Sequence, residues 1–234
     1  DSWVCNFSTD ALSTSVQKTI DFFNEQRRLV AENPSISMKK IIDYDTTKIS
    51  WTDALISKLK RSIEATFESH LKALILYRPF MTTWHYASSF LNERIGQTHQ
   101  FFNSNLPDNL GICVSGSGSN SSFSCLMTNK PITYDTLEKT RCYPLMFHCE
   151  EKKHHDHSLF ITNEKKKVRD GITDAGLAHF KTAYPNEAIT KDDIFYYVYG
   201  LLHSEDYRPR YADNLSKELP RIPCVKSADD LWKL

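Results

Sequence analysis

Apolar residues recur at helical spacing near both ends of the chain and in short continuous or alternating runs through its middle. Leu12, Val16, Ile20 and Phe23, with Val30 beyond, mark one face of a helix that Ser8 or Thr9 can cap and Asn33-Pro34 ends. Residues 35–48 are polar and lysine-bearing, which predicts a loop. Leu55, Leu59, Ile63 and Phe67 then repeat every four residues, so a second helix is expected from Ser50 or Thr52 to about His70. Lys58, Lys60 and Arg61 fall largely off its apolar side, as a solvated face or a phosphate-facing one.

From Leu71 the period changes. ALILYRPF reads as a buried strand stopped at Pro79, which removes a ladder donor, and TTWHYASSF as a second. Arg78 lies among aromatics and reads as an internal hydrogen-bonding anchor, because a buried guanidinium needs partners. Residues 95–109 are loop-like and amide-rich. LGICV and SFSCLM predict two strands around the Ser115–Asn120 glycine-serine loop, and TRCYPLMFHC at 140–149 predicts another. A helix through Leu177 and Phe180 follows at 172–184. Thr190 with Asp193 forms a short capping box for a helix buried through Ile194, Tyr197, Val198, Leu201 and Leu202. His203–Asp206 turns a corner, and Ser204 can cap a last helix carrying Tyr211, Leu215 and Leu219, which Pro220 and Pro223 end.

Composition narrows the class without naming a function. Apolar content of 40% and charged content of 25% are ordinary for a soluble globular chain, and 234 residues can bury a real core. No run of about 18 apolar residues exists, so no membrane partner is expected. Six scattered cysteines without a C-x-x-C pair predict reduced thiols in a cytoplasmic protein. The formal net charge is zero, whereas a free-standing DNA-binding domain is usually basic; a local patch suffices where other domains share the phosphate contacts. The chain opens Asp1-Ser2-Trp3 without a methionine, as an excised fragment would.

Several blocks carry a family resemblance. IFYYVYGLLHSEDYRPRYADNLSKELPRIP at 194–223, DSWVCNFS at 1–8, LYRPF at 76–80 with Trp84 and Tyr86, LNER at 91–94, and ICVSGSGSNSSFSCLM at 112–127 occur in this order. Together they resemble the C-terminal region of type ISP restriction-modification enzymes and related helicase–adenine methyltransferase fusions, over nearly the whole chain. The resemblance implies a region that follows the methyltransferase domain and recognises the DNA target sequence. It implies double-stranded DNA, and the methyltransferase and motor domains of the same parent chain, as partners. S-adenosylmethionine, ATP and magnesium then belong to the parent chain, with no cofactor in this fragment.

Candidate site residues follow from side-chain chemistry. Gln97, His99, Gln100, Asn103, Ser117, Ser119 and Asn120 offer amides, an imidazole and hydroxyls for base edges or phosphates. Lys130, Lys152, Lys153, Lys165, Lys166 and Arg169 are candidate phosphate contacts; across 150–169 lysine and arginine outnumber acids. The glycine-serine loop could cradle a phosphate or simply close a hairpin or crossover, since it lacks the context of a nucleotide-binding motif.

Other chemistries are weaker. His148, Cys149, His154, His155 and His157 form the densest set of possible metal ligands, but one-sided rather than as two spaced pairs. Asp156 with Glu164-Lys165-Lys166 superficially fits a metal-dependent nuclease, whose carboxylates must share a metal ion. No methyltransferase cofactor motif, Asn-Pro-Pro-Tyr-type motif or nucleophile elbow is present, so the fragment is expected to be no enzyme by itself.

The expected fold is α+β, with a helical N-terminal part, a mixed β-sheet centre and a helical C-terminal part. Residues 1–70 would form a helical coupling segment and 71–234 an α+β target-recognition domain. The alternative is a structural module that packs on the methyltransferase and motor domains without reading sequence, with aromatics of Tyr196–Tyr211 as its interdomain surface.

Overall fold

The computed structural model describes residues 2–93, 101, 102, 106, 108–149 and 167–233. The chain divides into two units, Asp1–Ile75 with Met81–Gly96 and Leu76–Phe80 with Gln97–Leu234.

In the first unit, Ser8 Oγ accepts from the Ala11 amide at 3.3 Å and starts α1 (Thr9–Glu32). Its predicted stripe is buried, and Phe23 meets Phe90 edge-on at 5.0 Å between centroids. Two amides on α1 serve distant backbone. Gln26 Oε1 accepts from the Asp43 amide at 2.8 Å. Asn24 bonds both backbone groups of Ala65, donating to its carbonyl at 2.8 Å and accepting from its N–H at 3.0 Å. After the short helix α2 (Met38–Ile41), α3 (Asp53–Lys60) begins under a Thr52 cap.

The second helix ends about ten residues before the expected His70. Ser62 adopts φ 52, its amide donates to Leu59 and the Ile63 amide donates to Lys58, both at 3.0 Å. This is a Schellman stop with serine where glycine is usual, which is why the sequence hides it. Phe67 still reaches the core from an extended segment and stacks on Tyr86 at 5.4 Å. Lys58 is tied to the carbonyls of Ser89 (3.2 Å) and Phe90 (2.6 Å) rather than facing solvent. Strands β1 (Cys5–Asn6), β2 (Lys72–Arg78) and β3 (Met81–Tyr86) form a sheet in the order β1-β3-β2, with β2 running on into the second unit.

The second unit is built around β4 (Gly111–Val114), buried at all four positions. β5 (Cys125–Thr128) and β6 (Arg141–Pro144) pair antiparallel on its two sides. Because side chains alternate, Ile112 and Val114 join the helical core while Cys113 joins a separate cluster with Leu76 and Leu126. The helical core comes from α4 (Asp174–Ala183) and α5 (Lys191–His203), the latter carrying the expected Thr190–Asp193 capping box. Past Ser204 the predicted last helix divides at Tyr211 into α6 (Tyr207–Arg210) and α7 (Ala212–Leu215). A further helix that the sequence reading passed over, α8 (Ala228–Trp232), is capped by Ser227 and buries Leu231.

Between α7 and α8 the chain runs without helix or strand. Three tyrosine hydroxyls hold its alternate carbonyls: Tyr207 on Arg221 (2.7 Å), Tyr197 on Pro223 (2.6 Å) and Tyr184 on Val225 (2.6 Å).

The α+β class holds, and among the described residues the strands form three small antiparallel sheets, with one isolated parallel bridge, Leu76–Ile132, instead of joining in one. The reason lies at Leu145. The strand expected over 140–149 splits there into β6 and β7 (Met146–Cys149), and β7 pairs with β8 (Lys167–Asp170) as a separate ribbon. Where β4 no longer reaches, the buried Asn109 side chain replaces it, accepting from the Met146 amide at 2.9 Å and donating to the Met146 and Phe101 carbonyls at 2.6 Å.

Two substitutions test these readings by urea unfolding. Asn109→Ala should destabilise by about 1–3 kcal/mol for each backbone group it orphans; a loss under about 0.5 kcal/mol would show that the amide is dispensable. Ser62→Gly should stabilise by up to about 1 kcal/mol, because glycine relieves the left-handed conformation.

Candidate nucleic-acid interface

The glycine-serine segment is the hairpin loop between β4 and β5. Its neck is closed by the Ser115 amide on the Ser124 carbonyl and the Ser124 amide on Ser115 Oγ, each 3.0 Å. Gly118 has φ +73, and a Cβ on Gly116 would stand 2.2 Å from the Lys139 carbonyl oxygen. Both glycines are therefore required by backbone geometry.

One carboxylate organises the loop. Glu138 accepts from the Asn120 amide (2.9 Å), the Ser121 amide (3.1 Å), Ser121 Oγ (2.7 Å) and Ser119 Oγ (2.9 Å). Its neighbour Lys139 donates to the Gly118 carbonyl. Glu138 and Lys139 both lie in the left-handed region, at φ 64 and 52, which turns the carboxylate and the ammonium toward the loop. The Asn120 amide, then the Ser121 hydroxyl and the other donors, pull the Glu138 pKa from its ordinary 4.5 down to about 2. The Asn120 and Ser121 amides, the donors a phosphate would need, are thus already held by the chain's own anion. Arg208 Nη2 fixes the far end of the loop by donating to the Phe123 carbonyl at 2.7 Å.

The described candidates fall at opposite ends of β4, about 10 Å apart by strand rise. Ser117 and Asn120 are exposed and Ser119 half-buried in the loop beyond Val114. Lys130 follows Thr128, which pairs with Gly111 at the other end, and its Nζ reaches Asn129 Oδ1 at 3.0 Å. The β7–β8 ribbon departs from that same end, since Leu145 donates to Leu110 and Gly171 to Leu145. Arg169 is exposed on β8, and alternation puts Lys167 on the same face. Neighbouring Asp170 is engaged at 2.7 Å by Lys191, which also holds Asp174 at 2.6 Å, so the acid beside Arg169 is neutralised. The Lys191 ammonium, by hydrogen bond first and charge second, holds the Asp174 carboxyl below its usual range.

Gln97, His99, Gln100, Asn103, Lys152, Lys153, Lys165 and Lys166 lie outside the described residues, as do His154, His155, Asp156, His157 and Glu164. Among the described residues no group of three or more His, Cys, Asp or Glu could hold a metal ion. His148 is buried, and neither ring nitrogen finds a partner among the described residues. Cys5, Cys113, Cys125, Cys142 and Cys224 are free thiols, and burial pushes Cys125 up to about 12. No described helix is long and apolar enough to cross a membrane.

Arg78 is exposed rather than internal, although it does anchor backbone, donating to the Asp135 carbonyl from over the Tyr77 ring. The sequence reading passed over Lys167, Arg141 and Tyr143. Arg141 and Tyr143 alternate with half-buried Cys142 and Pro144 on β6, and that two-residue period was the available signal. Among the described residues Arg141, Lys167 and Arg169 form no ion pair.

The family model described as Type ISP C-terminal specificity domain matches residues 1–234. No curated protein matches the chain. Among solved structures, the chain is similar to a DrdV–DNA complex determined by cryoEM, at 32% identity and a TM-score of 0.81, over 95% of this chain and 20% of that one. It is also similar to a nuclease-deletion mutant of the Type ISP restriction-modification enzyme LlaGI in complex with a DNA substrate mimic, at 30% identity and a TM-score of 0.78, over 100% of this chain and 20% of that one. The ATP-dependent Type ISP enzyme LlaBIII bound to DNA matches at 26% identity and a TM-score of 0.77, over 100% of this chain and 14% of that one. The chain therefore spans about a fifth of the length of the DrdV and LlaGI chains.

The Glu138 latch has a pH signature. A carboxylate whose pKa is depressed by folding stabilises above its unfolded value and loses that contribution as pH falls through the folded value. The Asn120 and Ser121 amide shifts should therefore hold steady above about pH 4.5 and titrate together with a midpoint near 2. Glu138→Gln should abolish that titration, and a midpoint near 4.5 in the unsubstituted chain would show that no latch exists.

Proposed function

Because the chain belongs to the Type ISP C-terminal specificity domain family, we propose that it holds double-stranded DNA and reads the target sequence for a restriction-modification polypeptide. The observation that carries this reading is its likeness, over 95–100% of its length, to enzymes solved with DNA. Positioning falls to phosphate contacts, and specificity to base edges in the major groove, where all four base pairs differ. Lys167, Arg169 and Arg141 join Lys130, Lys152, Lys153, Lys165 and Lys166 in the first role. Ser117, Ser119, Asn120, Gln97, His99, Gln100 and Asn103 take the second. The Glu138 latch suits a reading loop, since a preordered loop loses less entropy on binding.

The domain is non-catalytic in this reading. Adenine methylation, which needs the base extruded from the stack, belongs to a neighbouring methyltransferase domain. S-adenosylmethionine, ATP and magnesium serve the methyltransferase and motor parts of the parent chain. The alternative, a coupling module that reads nothing, is supported by exposed aromatics on the helical corner: Tyr196 is 50% and Tyr211 39% exposed.

Binding to a randomised duplex pool at moderate salt, with sequencing of what is retained, separates the two. One short enriched sequence is expected, whereas an unenriched or empty pool would favour the coupler. In the same assay the pair Lys167→Ala with Arg169→Ala should weaken all sequences alike and lower the salt slope by about 2, or roughly 0.9 per phosphate lost. Unchanged affinity would remove the ribbon from the footprint.

A further inference from the structure

Phe80 is placed where the fold alone has no use for it. It sits at the turn joining β2 to β3 with 96% of its surface exposed. Its φ is 61, a left-handed conformation in which a bulky L-residue is an outlier. Glycine would make this turn without strain and without an apolar ring in water. A residue that is costly on both counts points to a role outside folding.

The strand end that carries the ring is braced within its own unit. The Leu76 amide donates to the Pro131 carbonyl at 2.8 Å, and Thr136 Oγ1 returns a bond to the Leu76 carbonyl at 2.8 Å. Thr133 Oγ1 donates to the Tyr77 carbonyl at 3.4 Å, and Arg78 donates to the Asp135 carbonyl while lying 4.8 Å from the centre of the Tyr77 ring. Every residue from Leu76 to Arg78 is thus tied to the 131–136 turn. That turn also presents Tyr134, 65% exposed.

We propose that Phe80 is a wedge that stacks into a base step of bound duplex DNA, with Arg78 beside it to meet the flanking phosphate. This rests on the DNA-recognition reading given above. Three features favour a nucleic acid over a protein pocket: a flat ring on a narrow two-residue turn, an exposed guanidinium two residues away, and a second exposed aromatic on the bracing turn. Apolar side chains inserted between bases unstack and kink the duplex, and base–aromatic stacking tolerates any sequence because every base has a π-face. The wedge would therefore set the DNA's shape while loops elsewhere read its edges.

The test compares the 234-residue chain with Phe80→Gly and Phe80→Ala. Thermal unfolding of Phe80→Gly should occur no lower than that of the unsubstituted chain, since strain is relieved. Duplexes carrying 2-aminopurine at successive positions should brighten at one step on binding the unsubstituted chain, and at none with either variant. Affinity should fall roughly 5- to 100-fold with the salt slope unchanged. If the unsubstituted chain binds DNA but brightens no position, or Phe80→Gly binds and brightens like it, the wedge is overturned and the DNA reading stands. If Phe80→Gly binds DNA normally but the parent polypeptide carrying it loses interdomain assembly, the tip docks on protein instead. Failure of the unsubstituted chain to bind any duplex overturns both.

Discussion

A four-residue strand buried on every side sets the terms for the second unit. β4 needs a partner along each edge, apolar cover on each face and something to satisfy the backbone beyond each end. β5 and β6 meet the first need, and the α4–α5 core and the Cys113–Leu126 cluster the second. The ends are handled differently. At one, Asn109 stands in for a strand; at the other, Glu138 ties the loop. Among the described residues, the candidates of the glycine-serine loop, Lys130 and the β7–β8 ribbon hang from these two ends, so the scaffold that buries β4 also positions them.

Polar side chains inside both units serve backbone far away in sequence. Asn24 on Ala65 and Asn109 on Met146 are the same device: a side-chain amide bonding both the N–H and the C=O of one residue, as a neighbouring strand would. The three tyrosine hydroxyls on Arg221, Pro223 and Val225 do this for acceptors alone, which suits a segment whose prolines at 220 and 223 cannot donate. Such partners let short, irregular segments be ordered without extending a sheet. A recognition loop built this way would be held still without being part of the ladder, which is the combination that base reading requires.

Zero formal charge is unusual for the DNA-reading role proposed above, and the arrangement of charge rather than its sum bears on it. Glu138 is engaged by the loop it folds and Asp170 by Lys191, while Arg141, Lys167 and Arg169 stay unpaired among the described residues. At these places the acid is occupied internally and the cations are left outward. Spanning about a fifth of the DrdV and LlaGI chains, such a domain need not supply the whole phosphate footprint.

The sequence by itself determined the α+β class, the stripe of α1, the capping box at Thr190, the two strands flanking the glycine-serine loop and, through ordered motif blocks, the family. These are local signals: apolar period, cap chemistry and turn residues lie within a few positions of what they specify. Only the tertiary structure decided the rest. The stop of α3 at Ser62 uses a residue with no glycine signature, and the break at Leu145 depends on Asn109, thirty-six positions earlier. No sequence pattern marks Glu138; the fold brings it to the Ser119–Ser121 amides and hydroxyls. Phe80 read as part of a strand end until the turn left it in solvent. For the Leu145 break, Glu138 and Phe80 the deciding partner is distant in sequence, or is water, and no local pattern records either.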